Sequence, residues 1–278
     1  MMGGHYQDND HFAFIGEVLA QMQPITLEEM NAVKLMNRTD TKYLTNRQTL
    51  QEMAQYWEPS FYVQDIDGLR RAHYTTLYFD TPDALTYTIH HNQHLRRQKV
   101  RQRHYLDTGT RYLEVKNKVN TGRTKKKRIE IPENAWGDLY SQPEMAAFLR
   151  EKVWVTDQPL TPRLQNYFQR VTLVNKARTE RITIDSGIHF HNHLTQGDAD
   201  VSDLVIVEVK QDGNKPSDFK RLLLEARVPQ RGLSKYCLGM LLTDDRIKYN
   251  RFKDKVRYVS KLIGQPLTIC SEKQSLIP

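Results

Sequence analysis

Between residues 37 and 211, apolar and polar residues alternate in short runs with a period of two, which predicts strands rather than helices. Such runs fall at 37–45, 72–80, 95–106, 111–119, 124–131, 163–175, 180–190 and 203–211. Helical spacing appears at 46–57, 82–90, 140–152, 215–227 and 234–243, with a basic C-terminal helix near 248–263. Residues 1–36 read as a helical preface: FIGEVLAQM, a break at Pro24, then ITLEEMNAVKLM with Thr26 as its N-cap. Hairpin turns are expected at Gly109, at Asn120–Gly122 and within VNKARTERI (174–182), so the strands should run antiparallel.

Alternate residues of a strand share a face, so parity decides which side chains meet. Arg38, Asp40 and Lys42 share one face, as do Arg97, Lys99, Arg101 and Arg103. Tyr112, Glu114, Lys116 and Lys118 form a third set, and Lys126, Arg128 and Glu130 a fourth. Arg181, Thr183 and Asp185 oppose Ile182 and Ile184, and Glu208 and Lys210 oppose Val205, Val207 and Val209. Each strand therefore has one charged and one largely β-branched face. Helices need an apolar surface to pack on, so the Val/Ile/Leu faces should lie outside and the charges inside. The expected fold is α+β: a closed eight-stranded antiparallel barrel with helices packed around it, closure removing exposed edges.

Composition narrows what such a lumen would hold. The net charge is +8, from 41 Lys+Arg against 33 Asp+Glu, and favours an anionic partner. Enclosed cations repel one another unless an anion joins them, which points to a ligand of high charge density. Arg matches phosphate oxygens through its planar fork, and Lys acts as a point charge. Glu114 and Glu208 suit either of two tasks: positioning the cations, or holding a Mg²⁺ or Mn²⁺ that bridges phosphate oxygens. Mean hydropathy is −0.69, and no run approaches the 18 or so apolar residues of a membrane span. The N-terminus lacks the pattern of a secretory signal, and Cys237 and Cys270 fit no metal or redox spacing, so a cytoplasmic protein is expected.

Several segments together resemble the catalytic domain of the vacuolar transporter chaperone (VTC) family of polyphosphate polymerases, within the triphosphate tunnel metalloenzymes. They are RTDTKYL (38–44), YTTLYFDTP (74–82), RRQKVRQRHY (96–105), YLEVKNKVN (112–120), TKKKRIEIP (124–132), RITID (181–185), VIVEVK (205–210) and LSKYCLGM (233–240). The resemblance covers roughly 35–245 and implies a tunnel domain there, with a helical extension at 1–34 and a basic helix and tail at 246–278. It implies ATP-dependent polyphosphate synthesis with Mn²⁺ or Mg²⁺, and ATP and polyphosphate as partners. Lys42, Arg101, Arg103, Lys116, Lys126 and Arg181 are the expected catalytic set. Arg38, Arg128, Arg170, Lys210, Ser234 and Lys235 are expected to bind phosphate, with Glu208 and, second, Glu114 as metal ligands. Phe168 stands where eukaryotic members carry a tyrosine. The sensor domain and membrane helices of the eukaryotic complexes have no counterpart here, so a stand-alone prokaryote-type member is expected, peripheral at the inner membrane face if a membrane protein takes its product.

Two other readings compete. A metal-dependent triphosphatase would use the same basic lumen, but such hydrolases characteristically open with an ExExK strand, where this chain has RTDTK. A polyphosphate- or nucleic-acid-binding module would fit the charge. Single-strand binders, however, stack bases on exposed aromatics, whereas Tyr74, Tyr78, Tyr87, Tyr105 and Tyr112 suit strand packing, which disfavours nucleic acid. His189, His191 and His193 share a strand face and read as a solvated strand end, as His90, His91 and His94 read as a polar helix end. KKKR (125–128) and the basic stretch 244–259 read as solvated faces, and Cys237 as a small buried hydrophobe.

Overall fold

The computed structural model describes residues 9–32, 38–119, 124–213 and 215–269. Its strands are β1 (Pro24–Ile25), β2 (Arg38–Asn46), β3 (Phe61–Gln64), β4 (Ala72–Asp80), β5 (Arg97–Tyr105), β6 (Arg111–Lys118), β7 (Thr124–Glu130), β8 (Thr161–Asn175), β9 (Glu180–Asn192), β10 (Asp198–Val201) and β11 (Leu204–Asp212). Its helices are α1 (Gly16–Gln21), α2 (Leu27–Ala32), α3 (Arg47–Ala54), α4 (Leu85–His91), α5 (Pro143–Lys152), α6 (Asp218–Glu225), α7 (Lys235–Thr243) and α8 (Lys253–Ile263). The expected strands and helices are present, most with ends shifted by a few residues. The short strands β1, β3 and β10 were not foreseen. Thr26 caps α2 as expected: its hydroxyl accepts from the Glu29 amide while the Glu29 carboxylate accepts from the Thr26 amide. The expected turn at Asn120–Gly122 and Cys270 lie outside the described residues.

The main sheet runs β2-β11-β9-β8-β4-β5-β6-β7, with every neighbouring pair antiparallel. It is strongly curled. Lys42 on β2 and Lys116 on β6 lie six strand positions apart along it, about 29 Å in a flat sheet at ~4.8 Å per strand. Yet the charge of Lys42 acts directly on both Lys116 and Lys99. The curl is thus tight enough to bring opposite ends of the sheet to face each other across the charged side.

The curl does not close, so the expectation of a closed eight-stranded barrel is corrected to an open half-barrel. The ladder ends at β2 and β7, with no pairing between them among the described residues. Both edges are cationic. β7 carries Lys125, Lys126, Lys127 and Arg128 and is exposed along nearly its whole length, and β2 opens with the exposed Arg38. Charged residues along an edge are a common barrier to edge pairing, here reinforced by like-charge repulsion.

The convex face carries the β-branched residues. Val205, Val207, Val209, Ile182 and Ile184 are buried under α3 and α6, and Val100, Leu113 and Val115 under α5. Each such side chain contributes about 1.5–3 kcal/mol by leaving water. One helix breaks the expected arrangement. α7 packs on Leu44, Leu164, Ile188, Phe190 and Ile206, which share the inner face with the charged residues. Gly239 permits this approach, because a Cβ there would meet Phe190 and Leu164 at 2.5 and 2.6 Å. The inner face is therefore charged over part of its length and apolar where α7 seals it. The switch on β9 occurs at Gly187 (φ +65°), opposite a register shift between Tyr167 and Gln169. Ile182 and Ile184 point outward before it, and Ile188 and Phe190 point inward after it.

Candidate functional site

Cross-strand register assembles the charged half of the inner wall. Arg101 lies opposite Glu114, Lys99 opposite Lys116, Lys116 opposite Lys126, Arg170 opposite Asp185, and Glu208 opposite Lys42. α7 then delivers Ser234 and Lys235 at its N-terminus. Ser234 caps the helix by accepting from the Cys237 amide, and the same hydroxyl accepts from Lys99 Nζ at 2.7 Å. Among the described residues, Lys99, Lys42, Arg101, Arg103, Lys116, Lys126, Arg170, Lys210 and Lys235 face only Glu114, Asp185 and Glu208 within the wall, with Asp40 acting on Lys210 from the rim.

Two carboxylates are clasped on both sides. Glu114 is fully buried; its Oε2 accepts from Arg101 Nε at 2.7 Å and its Oε1 from Lys126 Nζ at 3.0 Å. Burial would raise its pKa, but Arg101, Arg103 and Lys126 hold it well below the ordinary carboxylate range. Asp185 accepts a bidentate pair from Arg170, at 2.6 and 2.8 Å, and a further bond from Lys235. It too is held well below the usual range against its burial, by Arg170 and then Lys235. Glu208 is more loosely held, with Lys210 Nζ at 3.2 Å from Oε2. Burial opposes its ionisation, but Lys210, Lys42 and Arg170 bring its pKa down to about 2.

Several cations remain under-compensated, Lys210 and Lys235 even beside their carboxylate partners. The Arg101 charge, then burial and Arg103, push the Lys116 pKa well below that of a free lysine. Burial lowers Lys99 and Lys210, and it lowers Lys235 to about 8 even with Asp185 opposing it. Burial also lowers Arg103, whose Nε donates to Thr76 Oγ1 at 3.3 Å. This half of the wall stores unfavourable charge that an anion would relieve.

The other expected residues lie further out. Arg38 is exposed and pairs with Asp40 at 2.7 Å. Arg181 sits at the same end, its guanidinium donating to the Met30 carbonyl, its pKa lowered by burial and by the charge of Arg38. Arg128 stands over the Tyr112 ring at 4.2 Å on exposed β7. Phe168 offers a ring rather than a hydroxyl, with Lys235 at 4.1 Å and Arg170 at 5.4 Å from its centroid. Lys99 and Asp185 stood on the expected faces but outside the expected binding set, although their parity was the available signal. Tyr78, whose hydroxyl lies 3.4 Å from Arg101 Nη1, had no such signal.

The two proposed metal ligands differ in fit. Mg²⁺ and Mn²⁺ accept one or two carboxylates with phosphate oxygens completing the shell. Glu208 fits that pattern, being ionised and clasped through one oxygen. Glu114 fits less well, because each of its oxygens already accepts from a cation. Among the described residues, no group of three or more His, Cys, Asp or Glu side chains is arranged to hold a metal ion. That includes the outer-face histidines, of which His189 and His191 meet Asp198 at 3.1 and 3.2 Å.

The family model of the VTC domain matches residues 37–243. No curated protein matches the chain. Among solved structures, a Hippeastrum protein described as a candidate adenylyl cyclase with a dominant triphosphatase activity is 16% identical. It covers 73% of this chain and 94% of its own, at a TM-score of 0.43. A candidate adenylate cyclase from Vibrio parahaemolyticus is 12% identical, covering 74% and 99% at a TM-score of 0.42. The PH1819 protein of Pyrococcus horikoshii is 12% identical, covering 73% and 98% at 0.40. At these scores the likenesses carry no argument about this chain.

Proposed function

The chain belongs to the VTC domain family, and from that premise we propose that it is a metal-dependent phosphotransferase that moves the γ-phosphoryl group of ATP onto the end of a polyphosphate chain. The observation that carries this reading is the excess of enclosed cations over carboxylates on the inner wall, with Lys116 pushed well below a free lysine by Arg101 and Lys235 lowered to about 8 by burial. A chain of phosphates supplies that charge in a linear form, matching the cations spaced every second residue along β5, with Lys116 and Lys118 beside them on β6.

In this reading Lys42, Arg101, Arg103 and Lys116 hold the nucleotide phosphates, with Lys126 beside them. Arg170, Lys235 and Ser234 receive the acceptor chain, Lys210 bridges to Glu208, and Arg38, Arg128 and Arg181 guide phosphates at the rim. Glu208 would hold a Mn²⁺ or Mg²⁺ that draws negative charge off the phosphate oxygens. Glu114 and Asp185 act as positioning residues, fixing Arg101 and Arg170 in one orientation so that little reorganisation accompanies the reaction. A terminal oxygen of the acceptor forms a bond to the γ-phosphorus, the bond from that phosphorus to the bridging oxygen breaks, and ADP leaves with the electron pair. Such a transfer has a loose transition state, so alignment and charge neutralisation do most of the catalysis, and no protein nucleophile takes part. The tunnel unit in this reading is 35–245, flanked by 1–34 and 246–278. ATP as donor fits a cytoplasmic setting, with a membrane partner as one destination for the product. Among the described residues, no helix is long and apolar enough to cross a membrane.

The test is incubation with ATP and Mn²⁺, measuring ADP, orthophosphate and chain-length product separately. ADP with growing polyphosphate is expected. Stoichiometric orthophosphate would identify a triphosphatase instead, and tight polyphosphate binding without turnover a receptor. Only Asp40 occupies the carboxylate positions of the opening strand, and it is paired with Arg38 at the exposed rim. The wall is thus poor in groups to orient a hydrolytic water, which favours transfer.

A further inference from the structure

Beyond the residues assigned above, the inner-wall ladder of β5 and β6 continues one rung further. After Arg101–Glu114 and Lys99–Lys116, the next directly opposed pair is Arg97–Lys118. Like charges directly opposite each other on one face destabilise a sheet, yet this wall places two such rungs in succession. Among the described residues no carboxylate pairs with Arg97, Lys99 or Lys118, and of the four cations only Lys116 is eased by one, Glu114. Burial lowers the pKa of Arg97, Lys99 and Lys118, and Arg97 acts on both Lys99 and Lys118, with Lys42 acting on Lys99 as well. The Arg97 guanidinium is held in place by the His94 carbonyl at 2.9 Å.

The space these cations surround is marked by His90 on α4. Its ring meets Cys237 Sγ at 3.2 Å beside the α7 N-terminus, and it feels the charges of Lys99, Arg97, Lys255 and Lys118 together. Lys255 comes from α8, where it is exposed. Two strands and a C-terminal helix thus converge their cations at one end of the wall, past the N-terminus of α7. From Arg103 to Arg97 the wall runs six residues, about 20 Å at ~3.4 Å per residue. No single triphosphate covers that span.

We infer that Arg97, Lys118 and Lys255 form the outer part of a polyanion track, joined to the site by Lys99, which holds a linear polyphosphate beyond the phosphates that react. The track deepens the proposed function and rests on it for the identity of the polyanion. Its chemistry demands only a chain of closely spaced anionic groups longer than a nucleotide's triphosphate.

The experiment compares binding of inorganic tripolyphosphate and of long-chain polyphosphate to the full chain. The variants are Arg97→Gln/Lys118→Gln and, as a charge-matched control, Lys125→Gln/Lys127→Gln, which removes two lysines from the other face of β7. The first variant should lose about tenfold in long-chain affinity, with a weaker salt dependence, as expected when two phosphate contacts are removed. Its tripolyphosphate affinity should stay within twofold, its melting temperature should hold or rise as repulsion is relieved, and the control should bind both ligands as the parent does. Unchanged long-chain affinity, an equal loss for both ligands, or the same loss in the control would overturn the track. If the parent makes polyphosphate while the variant binds long chains normally, only the track fails. If the parent makes none but the variant still loses long-chain binding selectively, the track stands and the polymerase reading fails.

Discussion

Two neighbouring stretches of one wall treat their cations in opposite ways. At Arg101–Glu114–Lys126 and Arg170–Asp185–Lys235, each buried carboxylate grips two cations, and its own pKa is driven down. One rung away, Lys99 and Lys116 face each other with no carboxylate among the described residues clasping either, and both lysine pKa values fall. The first arrangement satisfies its carboxylates and arginines, although burial still lowers Lys235. The second is unfinished until an anion arrives. The clasped arginines give the wall its shape, and the opposed lysines give it its appetite.

The comparison breaks most visibly at Glu114. Glu114→Gln leaves Arg101 buried without its counter-charge, and urea denaturation should show a loss of about 3–5 kcal/mol. A stability near the parent's would mean the clasp is not structural. At the half-open carboxylate the effect should fall on chemistry instead. Glu208→Ala and Lys42→Ala should lower turnover of ATP by about a hundredfold to a thousandfold while the circular dichroism spectrum and melting temperature stay close to the parent's. Undiminished activity in either would remove that residue from its role.

The lysines predict a pH dependence. Lys235 has a folded pKa of about 8 against 10.5 for the free side chain, so between those values the unfolded chain binds more protons than the folded one. Stability therefore rises with pH through that window, by on the order of 1–3 kcal/mol at about 1.4 kcal/mol per unit of pKa. Saturating tripolyphosphate should flatten the rise by restoring the lysine charge, and a stability falling through the window in the free protein would contradict the assignment. The smallest effect belongs to a single unclasped cation. Lys99→Gln should raise the stability of the free protein by about 0.5 kcal/mol, the opposite sign to Glu114→Gln, while weakening tripolyphosphate binding. Loss of stability in both variants would erase the distinction between the two stretches.

Much of this wall was readable from strand parity alone. Arg101 with Arg103, Glu114 with Lys116, and Glu208 with Lys210 all fall on the inner face that period-two alternation assigns them. What parity could not supply is what breaks it. The register shift at Gly187 turns Ile188 and Phe190 inward, making room for α7 on a face that alternation alone would leave charged throughout. Closure was also beyond reach, since it depends on whether β2 and β7 pair, and local alternation says nothing about edges. The strands β1, β3 and β10 have two to four residues each, too few for a period to register. Tyr78 beside Arg101 needed the β4–β5 register, which no pattern within one strand encodes.

The central claim is that the enclosed lysines lose proton affinity to burial and to neighbouring cations, Lys235 even beside Asp185, and that a polyanion restores it. Isothermal titration of long-chain polyphosphate into the free protein at pH 8, repeated in buffers of different ionisation enthalpy, measures this as protons exchanged on binding. Net proton uptake is expected, carried by Lys235 and by Lys116. Binding with no proton exchange, or with proton release, would show that those lysines were already charged and that the wall was never waiting for an anion.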